Sequence, residues 1–465
     1  MSSFFAVAFL VFLAGTCLAY FVLPKAVRPY WLLVCSYLFY MYDPENASFV
    51  ALLLSASAVT WAAALLLERL RVKWMRRVCL VVSLALCVGC LFYYKYFNFL
   101  GETLAALLDS FGLHYTAPSL DILAPVGISY FTFAALGYVI DVYRGRQRAE
   151  KNFFFYALFV SFFPCIVTGP IERAEHMIPQ FKTPQTFDYA RVSGGLFRIL
   201  WGFFKKFVIA NTLGTAVDAV YGNPGYGAYT GPILLLASLL YTYQLYCDFS
   251  AGCDVALGAG AVFGFELTEN FRQPLRARSF TELWRRWHIS LTNWFRDYLY
   301  IPLGGNRCKL PRVIFNLFAV WALTGLWHGA NFNFIAWGIY YFVILVLEKY
   351  VYGKYLEKLP SLLKHIYALF LILLGWTIFY FEDFGQFATY LTSMFTLKNG
   401  IIGGDTLSTI LMYLPILIVT AMASLPIWKN TYLKLKDKKY MGVLEIAFCA
   451  VVIVLCTASL VNQSY

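Results

Sequence analysis

Apolar runs of roughly membrane-spanning length recur along this chain from its first ten residues to its last twenty. They lie at 4–23, 30–42, 47–67, 78–98, 122–142, 153–168, 192–220, 231–265, 312–329, 332–348, 363–381, 406–427 and 442–461. A bilayer core needs about 20 apolar residues per helix, so the pattern predicts an all-α polytopic membrane protein with about 11–14 membrane-embedded segments. Composition agrees, since 60% of the residues are hydrophobic and only 13% are charged. Such a surface cannot cover a water-soluble globule. The run at 4–23 lacks a basic leader and a small-residue cleavage site, which predicts a retained helix rather than a signal peptide. The expectation is one integral-membrane domain over 1–465 with its catalytic core at about 122–340.

The net charge of +12 is carried in short clusters between apolar runs. Lys25 and Arg28 follow the first run, Asp43 and Glu45 the second, and Arg69, Arg71, Lys73, Arg76 and Arg77 the third. Basic and acidic connections alternate as the positive-inside tendency requires, which places the amino terminus outside. Further on, 349–364 is basic, 382–405 is acidic on balance and 429–439 is basic, which places the carboxyl terminus outside as well. Charge distributed this way suits lipid headgroups and topology, not nucleic acid. Eleven cysteines are scattered through apolar stretches, and Cys87 with Cys90 forms the one C-x-x-C pair inside a predicted span. These read as small buried hydrophobes, so no disulfide and no metal site is expected.

Between about 165 and 310 the alternation fails. Pro164, Gly169, Pro170, Pro179, Gly202, Gly252, Gly258 and Gly260 interrupt the apolar pattern, and Lys205, Lys206, Asp248 and Asp254 fall in or beside it. Irregular or charged backbone at membrane depth is tolerated only where protein or a wet cavity surrounds it. Chemistry is therefore sought here and just beyond.

Of five histidines, His114, His176 and His365 lie in or next to polar connections. His288 lies in the stretch 279–305, which reads as one interfacial amphipathic helix with Ser279 or Thr281 as N-cap. At helical spacing Trp284, Trp287, His288, Leu291, Phe295 and Tyr298 share one face; Arg285, Arg286, Asn293, Arg296 and Asp297 share the other. Position alone leaves His288 open between a packed aromatic and a functional imidazole. His328 lies late in the apolar segment 311–341, four residues after Thr324, with Gly325 and Gly329 permitting close helix approach or room for a substrate. An ionisable imidazole inside a membrane is a functional candidate, and burial favours the neutral form that a general base requires. No G-x-S-x-G and no Walker loop occurs in the chain.

The stretches 285–307 (RRWHISLTNWFRDYLYIPLGGNR) and 323–338 (LTGLWHGANFNFIAWG) resemble the membrane-bound O-acyltransferase family, in its bacterial alginate and peptidoglycan O-acetyltransferase branch. SYLFY at 36–40, APVGISYFTF at 124–133, YVIDVYRG at 138–145, FFPCIVTGPIER at 162–173 and YCDFSAGCDVALG at 246–258 extend the similarity over most of the chain. Ala251, Gly252 and Cys253 stand where the branch usually has Gly-Tyr-Ser. The D-alanylating relatives, which act on teichoic acids with a carrier protein, normally lack the IPLGGNR continuation present here at 301–307.

The resemblance implies a helical fold with a thin centre between an inner and an outer funnel. It maps the family's invariant histidine onto His328 and its second histidine onto His288. It further implies a thioester donor, acetyl-CoA or an acyl-carrier thioester, on the cytoplasmic side of a bacterial plasma membrane. The acceptor would be an extracytoplasmic polysaccharide, reached through a separate esterase-like partner. In this frame His328 is the base, with His288, Trp327 and Asn331 as candidate oxyanion donors. Lys205, Lys206, Arg285 and Arg286 are candidates for the donor's phosphates, or are simply topological and snorkelling charges. D-alanyl transfer and a non-enzymatic glycan or lipid transporter stand as alternatives; broken helices and midplane charges also suit the latter.

Overall fold

The computed structural model describes residues 2–223, 225, 229–396, 400, 406–424, 431, 434, 435, 438 and 440–463. Most of the expected basic connection at 429–439 and the later part of the acidic one at 382–405 lie outside the described residues, as does the end of the 406–427 run. Every regular element among the described residues is helical. The chain divides into two compact units, interleaved in sequence: residues 1–196, 256–268 and 293–302 form one, and 197–255, 269–292 and 303–465 the other.

The first unit is built on α1 (Val7–Val22), α2 (Arg28–Met41), α3 (Pro44–Ala47), α4 (Val50–Arg69), α5 (Lys73–Ser110), α6 (Ile128–Tyr143), α7 (Phe153–Ser161), α8 (Phe163–Ile166) and α9 (Ala174–Lys182). Side chains of Asp43 and Asn152 cap α3 and α7 by accepting from the N–H groups of Glu45 and Phe154. The run expected to span from 122 becomes helical only at Ile128. Pro125 precedes the break, and Gly127 takes φ 75° where a Cβ would lie 2.1 Å from the Ile166 carbonyl oxygen. The run at 153–168 is two pieces, parted at Phe162, the second opening with Pro164 in its first turn. α6 packs on α4 and α5, and α2 on α7. Polar groups tie this unit together. Arg173 pairs with Asp297, the Tyr298 hydroxyl donates to Asp141, and the Glu172 carboxylate accepts from the Thr268 N–H and hydroxyl.

In the second unit the last part of α10 (Tyr189–Phe203) runs into a π-helical turn, Phe204–Ala210, and then α11 (Asn211–Tyr221). After α12 (Gly231–Phe263) come α13 (Phe280–Trp284) and α14 (Ile289–Phe295). α15 (Leu310–His328), α16 (Phe332–Leu347), α17 (Gly353–Lys358), α18 (Ser361–Tyr380), α19 (Phe384–Phe395), α20 (Thr406–Ser424) and α21 (Met441–Gln463) complete it. Its core is aromatic: Trp284, Trp287, Trp321, Trp337, Trp376 and Tyr341 pack with Tyr221 and Tyr390. Buried hydroxyls pair among themselves, the Tyr221 hydroxyl donating to Ser238 at 3.0 Å and the Thr377 hydroxyl to Ser238 at 3.2 Å.

Seven described segments are long and apolar enough to cross a membrane: α4, α5, α15, Phe332–Lys358, α18, Leu407–Ser424 and Met441–Val461. Their outer faces expose side chains such as Val443 and Ile446, as suits a helix facing lipid. This is a multi-pass, all-helical membrane protein.

Candidate active site

His328 is the last residue of α15, placed by the way α15 and α16 meet. A Cβ on Gly325 would stand 2.3 Å from the Phe334 carbonyl oxygen, and one on Gly338 would stand 2.3 Å from that of Trp321. Only hydrogen fits at both points, so the two backbones touch along a tight antiparallel hairpin. Gly329, where the helix stops, lies under the Phe334 ring, 2.1 Å from where its Cβ would be. The half-buried His328 ring stands edge-on to three aromatic rings, at centroid distances of 4.9 Å to Trp337, 5.0 Å to Trp327 and 5.3 Å to Phe379. Asn331 takes the N-cap position of α16 in extended conformation, and its side chain makes no cap bond.

His288 is held differently. The stretch 279–305 is not the single amphipathic helix its periodicity predicts. Ser279 does cap a helix, its hydroxyl accepting from the Glu282 N–H at 3.1 Å, but α13 lasts five residues. The chain turns at His288, which has φ 43°, and starts again as α14. A left-handed residue with a β-carbon costs about 1–3 kcal/mol and persists only where its surroundings impose it. Here the imposition comes from residues 270–272. The Asn270 carbonyl accepts from the Ile289 N–H at 3.1 Å, its side-chain Oδ1 from the Ser290 N–H at 3.0 Å, and the Arg286 carbonyl from the Arg272 N–H at 2.9 Å. Helical periodicity carries no trace of these long-range bonds, which is why the break was not predicted.

The His288 ring is 2% exposed and packs against Phe249 and Trp327, with centroids at 4.8 and 5.7 Å. Neither of its nitrogens has a hydrogen-bond partner among the described residues. Both imidazoles thus pack on the Trp327 ring, and the site residues His288, His328, Trp327 and Asn331 fall in one unit.

The candidate phosphate ligands are placed less uniformly. Lys205 and Lys206 sit on the π-helical turn. Lys205 is buried, bonded to Ser250 at 2.7 Å and ion-paired with Asp254; Lys206 pairs with Asp248 at 2.6 Å. Arg286 pairs with Glu282 and donates to the Arg272 carbonyl. Arg285 is exposed and enters no ion pair among the described residues. Three of the four cations are therefore engaged by groups of the chain itself.

Sequence reasoning missed two groups that organise this region. Arg198 makes a bidentate pair with Glu269 at 2.7 Å and bonds Asp254 at 2.9 Å, linking the helix that leads to the lysines with the residue before Asn270. Glu348, buried, accepts from the N–H groups of Phe280 and Thr281 and so anchors the start of α13. Each is a charge inside an apolar stretch, and that was the available signal.

The fold is that of a helical membrane protein with two imidazoles packed on one indole, and the chain belongs to the membrane-bound O-acyltransferase family. The family model matches residues 146–356. The chain is 38% identical over 372 residues to the probable alginate O-acetylase AlgI of Pseudomonas aeruginosa, covering 78% of this chain and 69% of that protein. It is 33% identical over 380 residues to the peptidoglycan O-acetyltransferase of Helicobacter pylori, covering 75% and 70%. A more distant relative is the teichoic acid D-alanyltransferase of Bacillus subtilis, 27% identical over 265 residues and covering 52% of this chain and 64% of that protein. The chain is an O-acyltransferase.

Proposed function

We propose that the enzyme O-acetylates an exopolysaccharide or cell-wall polysaccharide, drawing the acetyl group from cytoplasmic acetyl-CoA and delivering it outside the bacterial plasma membrane. One observation carries the reading: a partly buried His328 and a buried His288 whose nitrogens find no partner among the described residues, both packed on Trp327. The acceptor oxygen attacks the thioester carbonyl carbon, and a C–O bond forms as the hydroxyl proton passes to the neutral His328 imidazole. Collapse breaks the C–S bond, and the leaving thiolate takes that proton back from the imidazolium. A positioned base of this kind contributes about 10²–10⁴-fold.

The carbonyl oxygen becomes anionic between the two steps. A neutral imidazole carries one N–H, and at His288 that donor is uncommitted, in a dry aromatic setting where a hydrogen bond to a developing charge is strong. Trp327 and Asn331 are further donors at hand. Arg285, exposed and in no ion pair among the described residues, is the candidate cation for a donor phosphate, and Lys205, Lys206 and Arg286 are already engaged by their own pairs. An esterase-like extracytoplasmic partner receives the acetyl group and passes it to the polymer.

The test is transfer of radiolabelled acetyl from acetyl-CoA by the full chain in lipid nanodiscs, to an acceptor sugar or the partner. The expected result is label transfer by the wild type and its loss in His328→Ala at unchanged protein yield. Normal transfer by His328→Ala overturns the mechanism. Label accepted only from a D-alanyl carrier thioester supports alanylation, and glycan movement without any acyl transfer supports a transporter.

A further inference from the structure

The setting of His288 leaves open what holds a ring whose own nitrogens find no hydrogen-bond partner among the described residues. The ring packs on Phe249 and Trp327, and no hydrogen bond to another described residue orients it, so its direction is decided by its backbone. That backbone is in a left-handed conformation that a histidine does not adopt by preference. We propose that Asn270 is the positioning residue for His288, acting on the proposed reaction through the turn at 285–290 rather than by touching substrate.

Asn270 is 0% exposed, and its main-chain oxygen and both side-chain polar atoms are hydrogen-bonded. Its main-chain oxygen and its Oδ1 receive the N–H groups of Ile289 and Ser290, the first two residues after His288. These are orphan donors of α14, whose first intrahelical bond runs from the Thr292 N–H to the His288 carbonyl. Asn270 therefore caps a helix from outside it. In doing so it fixes both peptide groups on the far side of His288. Its Nδ2 donates to Cys253 Sγ at 3.6 Å, which stops the amide from swinging away.

The near side of the turn is fixed from the same segment. Arg272 exchanges bonds with Arg286, its N–H to the Arg286 carbonyl at 2.9 Å and its own carbonyl from the Arg286 Nη1 at 3.0 Å. Glu269, one residue before Asn270, is clamped by the bidentate bond from Arg198. Residues 269–272 thus form a rigid splint. Asn270 is the member of it whose side chain hydrogen-bonds the His288 turn, beside the Phe271 ring, which packs on Trp287 at 5.1 Å. A shift of about 1 Å in a catalytic group can cost about 10²-fold in rate, so loosening the splint is expected to register as lost turnover.

The inference rests on the role proposed above for His288, and the experiment separates the two. Wild type, Asn270→Leu, Asn270→Asp, His288→Ala and the double variant Asn270→Leu/His288→Ala are assayed for acetyl transfer in nanodiscs, each with its yield and thermal midpoint. Asn270→Leu is close in size but cannot accept from Ser290; the expected result is a kcat at least about tenfold lower with the acetyl-CoA KM within about twofold. Asn270→Asp keeps the acceptor at the helix start, and the Cys253 thiol can donate to its second oxygen, so most of the rate returns. The double variant is expected to match His288→Ala, because a residue that works through His288 has nothing left to position. Losses that multiply in the double variant, no rescue by aspartate, or a normal kcat in Asn270→Leu each overturn the proposal while leaving the reaction standing. A fully active His288→Ala, or no transfer by the wild type, overturns the reaction and the proposal with it.

Discussion

Two short stretches carry the two imidazoles, and they hold them by opposite means. His328 ends an unbroken helix whose position is set by contact between backbones at Gly325 and Gly338, and the residue is only partly buried. His288 sits in a broken stretch whose position is set by hydrogen bonds from residues 270–272, and its ring is buried. In the proposed mechanism, packing places the group that meets a substrate and exchanges a proton, and polar bonds place the group that keeps an N–H aimed at one point. A hairpin held by steric contact has one solution and an open end; a left-handed turn is unfavourable alone and needs bonds from elsewhere in the chain.

The comparison predicts unequal losses. The largest is expected at His328→Ala, which removes the proposed base and should lower acetyl transfer by about 10²–10⁴-fold, measured as label transfer at unchanged protein yield. His288→Ala removes one donor to the oxyanion and should cost about 10²–10³-fold in kcat in the same assay. If His288→Ala proved the more damaging, the division of labour between the two stretches would be reversed.

Gly325→Ala tests the steric half directly. The added carbon would meet a backbone oxygen at 2.3 Å, which cannot turn aside as a side chain could. A destabilisation of about 1–3 kcal/mol, seen as a lower thermal midpoint in nanodiscs, is expected together with lost turnover. An unchanged midpoint would mean that the hairpin has slack, and that His328 is not placed by contact.

The smallest effect is expected far from both stretches. His176, in the first unit, bonds Glu172 at 3.1 Å, and that bond raises its pKa above the ordinary value, against a smaller opposing effect of burial. The pair's contribution is full below about pH 6.5, the unfolded value, and is lost as pH rises through the raised folded value. The thermal midpoint should therefore fall slightly with rising pH near neutrality, and His176→Gln should flatten that slope. Because His176 is partly exposed, the shift should be small beside that of Gly325→Ala. A larger shift would show that polar bonds outweigh backbone contact in holding this protein together.

Much of this was legible in the chain itself. Apolar runs announced a multi-pass helical protein, and the disorder of that pattern between 165 and 310 marked the region of buried charge. The motif around His328, with its flanking glycines, described a close helix approach that the structure contains. The reading failed where local pattern and distant bonds disagree. Residues 279–305 have the face of one amphipathic helix, yet Asn270 and Arg272 turn the chain at His288. Lys205 and Lys206 read either as phosphate ligands or as topological and snorkelling charges, and the pattern did not show that Asp254, Ser250 and Asp248 engage them.

What the sequence determined alone is what depends on side-chain chemistry at short range: which segments prefer lipid to water, where a helix is capped or stopped, and which few groups can move a proton. Each is set by neighbours within a turn or two. What only the tertiary structure decided is which polar groups are spent on one another and which remain for a substrate. That balance is settled by bonds between residues 14 to 71 positions apart, from the splint on the His288 turn to the Arg198–Glu269 clamp. No local pattern encodes such bonds, because their strength comes from burial that exists only once the chain has folded.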